Sequence, residues 1–395
     1  MRATSWPEGI GTPPAPKLPR VSDPSPASSL EPADYPRKVL FVAGAGRSGT
    51  STMAGLMQIL GLHVPLPEVP ADATNPKGFS EPQWVVDHHD RLLKEALVQV
   101  SDSRPDAWFE TGRVSTREPE RIATTEWLEG HFAVSSELVV KDPRLSWFLA
   151  LWRVAAVRTG ATPVFATMLR PPAEVVGSKQ AYYANKLGSA HLAASWLNML
   201  LHTERGTRGS VAGSSGGGRV FVRYADLLDD WTRTTMHVGE TLQLQNVLHA
   251  NSEQIRDGHR FVDPSLRRMA QGLDDLGLPR RLHDLVGETW EELNKLAEPG
   301  GDTPEVHTAL DQLREAYTDL YAESEAISRS SVVATEQRLK KQGKGGPVPG
   351  PGPGPAAPGT APVEHAADKI PHGLRAAVPA PVRRGLRKMA GKERS

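Results

Sequence analysis

Cysteine is absent from this 395-residue chain. That removes disulfides, zinc–thiolate centres and cysteine nucleophiles at once. Nowhere do about 18 apolar residues run together, the length a membrane-spanning helix needs. The N-terminal Met1-Arg2-Ala3-Thr4-Ser5-Trp6-Pro7 lacks the apolar stretch of a secretory signal, so a soluble cytoplasmic protein is expected. A net charge is missing too, because 46 Lys and Arg balance 46 Asp and Glu. The balance is uneven along the chain. Thr335–Ser395 carries twelve Lys and Arg against four Asp and Glu, so the residues before it are acidic by the same margin. No nucleic-acid partner is expected.

Proline and glycine, by contrast, are plentiful, and they cluster. Residues 1–36 are rich in Pro, Ser and Ala without apolar periodicity and read as a disordered arm. Residues 331–362 read as a linker, Pro/Gly-rich from Gln342 onward, and 363–395 as a basic tail. Between them, 37–330 is the folded unit. Four short β-rich runs stand out in it: Val39–Ala43, Glu137–Lys141, Pro163–Leu169 and Arg219–Tyr224. Each is followed by a helical pattern, and the intervals are too long for hairpins. The expected fold class is therefore α/β, a parallel sheet with helices on both faces. Ser80-Glu81-Pro82-Gln83 fits a capping box, with Ser80 as N-cap of a helix running to about Val98. Further helices are expected over Ala173–Leu187, Ser189–Glu204 and residues 280–330, with a flexible loop from Gly206 to Gly218.

The first run opens into Gly44-Ala45-Gly46-Arg47-Ser48-Gly49-Thr50-Ser51-Thr52, then a helical pattern from Met53. Strand, glycine-rich turn and helix start in that order converge backbone N–H groups on an anion. Gly44, Gly49 and Ser51 fit the triphosphate pattern G-x-x-x-x-G-K-[ST], but Thr50 stands where the lysine belongs. The cation, Arg47, comes three places earlier, so the loop is not read as an ATP site. The second run ends in Lys141-Asp142-Pro143-Arg144, where Lys141 and Arg144 either bind an anion or pair with acidic neighbours. The third ends in Arg170-Pro171-Pro172 before a helix bearing Ser178 and Lys179. Arg170 and Ser178 can share one further phosphate. Two anion sites imply a nucleotide with phosphate groups at both ends.

Phe41–Ser51 resembles the 5′-phosphosulfate loop of sulfotransferases that use 3′-phosphoadenosine 5′-phosphosulfate (PAPS). Leu169-Arg170-Pro171-Pro172-Ala173-Glu174-Val175-Val176-Gly177-Ser178 is similar to their 3′-phosphate motif, and Val222–Leu227 to the strand end whose tyrosine, here Tyr224, contacts adenine. The resemblance covers roughly 38–270. Arginine at position 47 matches the bacterial, carbohydrate and protein-tyrosine branches, whereas Thr52 replaces an adenine-stacking tryptophan. No Arg-Lys-Gly motif follows, and His259–Arg268 is the candidate for those basic contacts. The resemblance implies a P-loop-like sulfotransferase fold, PAPS as co-substrate and no metal. It implies donor contacts from Gly46, Arg47, Ser48, Gly49, Thr50, Ser51, Thr52, Arg170, Ser178 and Tyr224. Asn75–Glu81 resembles the segment carrying a glutamate base, so Glu81, Arg47 and Lys141 are the candidate catalytic residues.

Alternatives stand beside that reading. Glu81 as an acid in a helix's first turn would stabilise the helix dipole without any catalysis. His88 and His89 are rival bases, although adjacent histidines are most often surface residues. His191 and His202 read as structural or exposed, and Asp226 as a cap for the helix after it. A P-loop small-molecule kinase and a non-catalytic nucleotide-binding interaction protein are the competing functions. The acceptor is expected to be a carbohydrate, a glycolipid or a small metabolite. The basic tail is either a solvated chain or a weak anchor on anionic lipid, which would make the protein membrane-peripheral.

Overall fold

The computed structural model describes residues 35–72, 78–182, 187–209, 218–263 and 272–344, with backbone alone at 182 and 342–344. The expected arm up to residue 34, the stretch 345–362 and the basic tail lie outside the described residues. So do most of the Gly206–Gly218 loop, the Asn75–Lys77 part of the Asn75–Glu81 segment and the Pro264–Arg268 part of the basic segment.

Strands β1 (Lys38–Ala43), β2 (Glu137–Lys141), β3 (Thr162–Leu169) and β4 (Arg219–Arg223) form one parallel sheet in the order β2-β1-β3-β4. They match the four β-rich runs to within one residue at each end. Because both faces are covered, the strands are almost continuously apolar rather than alternating. Val39 and Phe41 face one core with Trp152, Phe165 and Trp196. Leu40 and Val42 face the other with Met53, Met57, Val164 and Trp231. On the second face lie α1 (Thr50–Ile59), and α8 (Tyr224–Asp229) and α9 (Trp231–Leu242) from later in the chain. The first is covered by α4 (Glu118–Phe132), α5 (Leu149–Arg158), α7 (Ser189–Thr207), α12 (Arg280–Leu296) and the start of α13 (Pro304–Lys344). The fold is α/β with helices on both faces.

Helix α2 (Gln83–Glu95) corrects the capping box. Its N-cap position is Pro82 and no side chain caps it; Ser80 instead has φ +49°. Residues 81–83 are held extended against 67–69: Val69 N donates to Glu81 O at 2.8 Å, and Gln83 N to Pro67 O at 2.8 Å. Pairing with that segment displaces the helix start by two residues and leaves Glu81 ahead of the helix. The helix also stops short of Val98. The next residue after its C-cap, Leu97, is left-handed at φ +56°. Helix α7 runs past Glu204 to Thr207, because Gly206 lets it lie directly on Leu149. Asp226 sits inside α8 and pairs with Arg223; the cap of α9 is Asp230, which accepts from Arg233 N at 3.0 Å. Residues 280–330 form helices as expected, broken at 297–303 between α12 and α13, but α13 continues to Lys344, through the first part of the stretch read as linker. No helix among the described residues is long and apolar enough to cross a membrane.

The strand order fixes where a ligand crevice opens. From β1 the chain passes to β2 on one side, and from β3 to β4 on the other, so connections diverge between β1 and β3. In open parallel sheets the crevice lies beyond the strand C-termini at such a switch point. Here those ends carry the glycine loop and Arg170.

Candidate active site

The glycine loop leaves β1 in close contact with β3. Gly44 has φ +136°, and a Cβ there would stand 2.8 Å from Met168 O, so only glycine fits. Ser48 N donates to Ala45 O at 3.1 Å, closing the turn, and Gly49 at φ +89° hands the chain into α1. A Cβ on Gly49 would overlap the Tyr224 ring. Arg47 is left-handed as well, at φ +77°. A non-glycine residue held there is costly, and such residues concentrate at ligand sites. Helix α1 has no side-chain cap and no acidic residue in its first turn, so its N-terminal dipole faces the loop uncompensated. Ser48 is fully buried, with an Oγ that has no hydrogen-bond partner. An anion seated on the loop would supply one, which fits a phosphate or sulfate group.

Arg170, at the end of β3, reaches back to the loop. Its Nη1 donates to Arg47 O at 3.0 Å, its Nε pairs with Glu174 at 2.9 Å, and its guanidinium lies 5.1 Å from the Tyr224 ring centre. Ser178 lies on α6 (Pro172–Tyr182), and its Oγ accepts from Arg47 Nε at 3.1 Å. Residues assigned to two anion sites are therefore in contact, two guanidiniums and a hydroxyl at one crevice. Tyr224 is buried against Gly49, shares a hydrogen bond with Thr52, and burial pushes its phenol pKa up. In this structure its ring supports the loop. The loop after β2 adjoins too, since a Cβ on Gly46 would meet Pro143 at ordinary contact distance.

Glu81 and Lys141 form an ion pair, both almost fully buried. Lys141 Nζ also donates to Ser51 Oγ at 3.0 Å, so a hydrogen-bonded chain runs from the carboxylate to the first turn of α1. Burial raises the pKa of Glu81 despite the attraction of Lys141. Because Glu81 precedes α2, a role as first-turn helix acid is removed. Thr50, at the Walker-lysine position, is buried at the start of α1.

Behind this pair lies a layer whose residues the sequence named but whose arrangement it did not show. Asp142 accepts from Arg144 N at 2.6 Å, and Arg144 Nε donates to Asp90 at 2.6 Å. Arg144 keeps the buried Asp142 carboxyl well below the usual range, although burial alone would raise it. His89 is fully buried. Its Nε2 accepts from Trp152 Nε1 at 2.7 Å, which leaves its proton on Nδ1, 3.5 Å from Asp142. His88 is buried as well, against Trp84 and Thr124, and burial pushes its pKa down to about 4. Neither is a surface residue: both lie on the buried side of α2 with Val85, Leu92 and Leu93, while Asp87, Arg91 and Lys94 form its exposed side. His202, in an α7 turn between Trp108 and Trp147, has a pKa lowered by burial to about 3. Lys179 is buried with a single described partner, Ser101 Oγ at 3.0 Å. Arg144 takes the alternative of pairing with acidic neighbours, Asp142 and Asp90; that His89 and Asp90 of α2 would meet the loop after β2 had no signal in the sequence. Among the described residues, no group of three or more His, Asp or Glu is placed to hold a metal ion.

No family model matches the chain, and no curated protein matches it. Among solved structures it is similar to the sulfotransferase domain of the Synechococcus PCC 7002 olefin synthase, at 13% identity, over 73% of this chain and 98% of that one, with a TM-score of 0.32. It is likewise similar to the sulfotransferase domain from the curacin biosynthetic pathway, at 13% identity over 70% and 97%, with a TM-score of 0.31. Likeness at that level says nothing about chemistry, so function rests on the side chains at the β1–β3 crevice.

Proposed function

We propose that this chain is a sulfotransferase that moves a sulfuryl group from PAPS to a hydroxyl or amine of an acceptor. The observation that carries the reading is the contact of Arg47 with Ser178, with Arg170 clamped onto the Arg47 carbonyl. A linear triphosphate needs one loop and its lysine. A nucleoside 3′,5′-bisphosphate needs two adjoining anion sites fed by different strands, and the closeness of the glycine loop to Arg170 and Ser178 supports that reading. In the reaction the acceptor oxygen or nitrogen bonds to sulfur as the sulfur–oxygen bond to the donor phosphate breaks. The electron pair stays on that oxygen, where Arg47 and the loop N–H groups would stabilise it. The acceptor proton goes to Glu81, whose raised proton affinity suits a general base. Lys141 bridges that carboxylate and Ser51 by donating to both. The acceptor, in this reading, presents a hydroxyl of a carbohydrate, glycolipid or small metabolite.

The test is thermal stabilisation by 3′,5′-ADP compared with 5′-AMP and ATP, followed by transfer of label from sulfur-labelled PAPS. At 100 times its Kd a ligand adds about 2.7 kcal/mol. Only the bisphosphate should reach that value, and it should lose it in Arg170→Ala and Ser178→Ala. Equal stabilisation by ATP with magnesium would sink the proposal in favour of a kinase.

A further inference from the structure

Where the end of β2 packs on α2, charged side chains form a connected set. Glu81, Asp142 and Asp90 bring three carboxylates, and Lys141 and Arg144 bring two cations. All are buried except Asp90, whose side chain is 35% exposed. With every group ionised the set carries one negative charge in excess, so one carboxylate is poorly compensated.

The donors decide which one. Asp142 accepts from Arg144 N at 2.6 Å and from Arg144 Nη1 at 3.1 and 3.2 Å. His89 Nδ1 stands 3.5 Å from its Oδ2. That imidazole is neutral, because its Nε2 accepts from Trp152 Nε1, and an indole N–H can only donate. His89 therefore turns an N–H toward Asp142 without adding a positive charge. Asp142 is held ionised in this way. Asp90 has Arg144 Nε at 2.6 Å and partial access to water. Among the described residues the Glu81 carboxylate is paired with Lys141 alone, and Lys141 divides itself between Glu81 and Ser51. Neighbouring carboxylates in unlike surroundings take unlike roles.

We propose that Asp142 is a positioning residue for Glu81, its fixed negative charge, oriented by Arg144 and His89, keeping Lys141 and Arg144 from quenching Glu81 as a base. The inference rests on the reading of Glu81 as the general base. Burial raises the proton affinity of Glu81, Lys141 and Arg144 oppose that, and Asp142 adds to it. Without Asp142 the remaining two carboxylates and two cations would balance. Glu81 would then stay ionised to lower pH and take the acceptor proton less readily.

Asp142→Asn keeps the shape and removes the charge. Infrared spectroscopy on the full chain follows Glu81 protonation with pH, through the carboxylic-acid band that Glu81→Gln lacks. In Asp142→Asn the midpoint should fall by about one pH unit or more. The acidic limb of the pH–rate profile for sulfuryl transfer should move with it, and the plateau rate should drop. Stabilisation by 3′,5′-ADP should match the wild type. Asp90→Asn, at a partly exposed position, should shift the midpoint the same way by less, and it decides the matter where Asp142→Asn does not fold. The band requires no acceptor and no transfer, so this result stands apart from failure of the sulfotransferase reading. A midpoint that stays or rises in folded Asp142→Asn, or in Asp90→Asn where that variant decides, would overturn the proposal.

Discussion

Glu81 and Lys141 meet in a buried ion pair, joining the segment ahead of α2 to the end of β2. Breaking it from the acidic side should separate chemistry from donor binding. Glu81→Gln should lower transfer about 10²–10⁴-fold, the usual contribution of a general base, while stabilisation by 3′,5′-ADP persists. The pH–rate profile supplies the sign. A base works ionised, so activity should fall as pH drops through a pKa raised above the ordinary glutamate value by burial. Glu81→Gln should lose that acidic limb. Identical profiles for variant and wild type would remove Glu81 from the chemistry.

Gly49→Ala should cripple the loop. The new methyl would overlap the Tyr224 ring, and φ +89° is strained for alanine. Strain of this type costs about 1–3 kcal/mol, before the displaced Tyr224 is counted. The melting temperature should fall, and stabilisation by 3′,5′-ADP should vanish. Gly78→Ala makes a suitable control, because a Cβ there meets nothing within 4 Å although φ is +85°. Similar loss of ligand binding in both variants would show that backbone strain, and not the Tyr224 overlap, dominates.

His88 should make the fold acid-sensitive. Its pKa is about 4 in the folded chain and 6.5 as the ordinary value. The folded state therefore binds the proton less readily than the unfolded one. Stability from this group is complete above pH 6.5 and is lost as pH falls toward 4. The shift corresponds to about 3 kcal/mol at most. Urea midpoints of wild type and His88→Gln, measured from pH 7.5 to 4, should converge as the solution is acidified. Parallel curves would contradict this.

Lys179 should act oppositely to a stabilising ion pair. Burial lowers its pKa to about 8 from 10.5, and Ser101 is its described partner. Its charge is disfavoured in the fold, fully so below pH 8 and not at all above 10.5, so stability should climb across that window. Lys179→Met should be more stable at pH 7 by about 1–3 kcal/mol. It should also lack the alkaline rise. A destabilised Lys179→Met with the same slope would refute the assignment.

The sheet was legible because continuous apolar runs such as Val39–Ala43 have few alternatives when both faces are buried. The loop was legible because glycine spacing and Arg47 are local. What escaped was long-range. Ser80-Glu81-Pro82-Gln83 has the residues of a capping box, yet pairing with Pro67–Val69 overrode the local preference. His88 and His89 look like surface residues until Trp84, Trp127 and Trp152 close around them. The Arg47–Ser178 contact spans 131 positions, and spacing alone had assigned its two ends to different phosphates.

The grip of Arg170 on the Arg47 carbonyl has a consequence for redesign. Gly44–Thr52 looks like a portable cassette, nine residues that could be grafted onto any strand–helix junction. Its shape, however, is maintained from outside, by a guanidinium two strands later in the chain and by the Tyr224 ring beneath Gly49. A transplanted cassette would keep its amides and lose its curvature. The smallest transferable unit is therefore the three strand ends together, β1, β3 and β4, and variation in any one of them reshapes the same crevice.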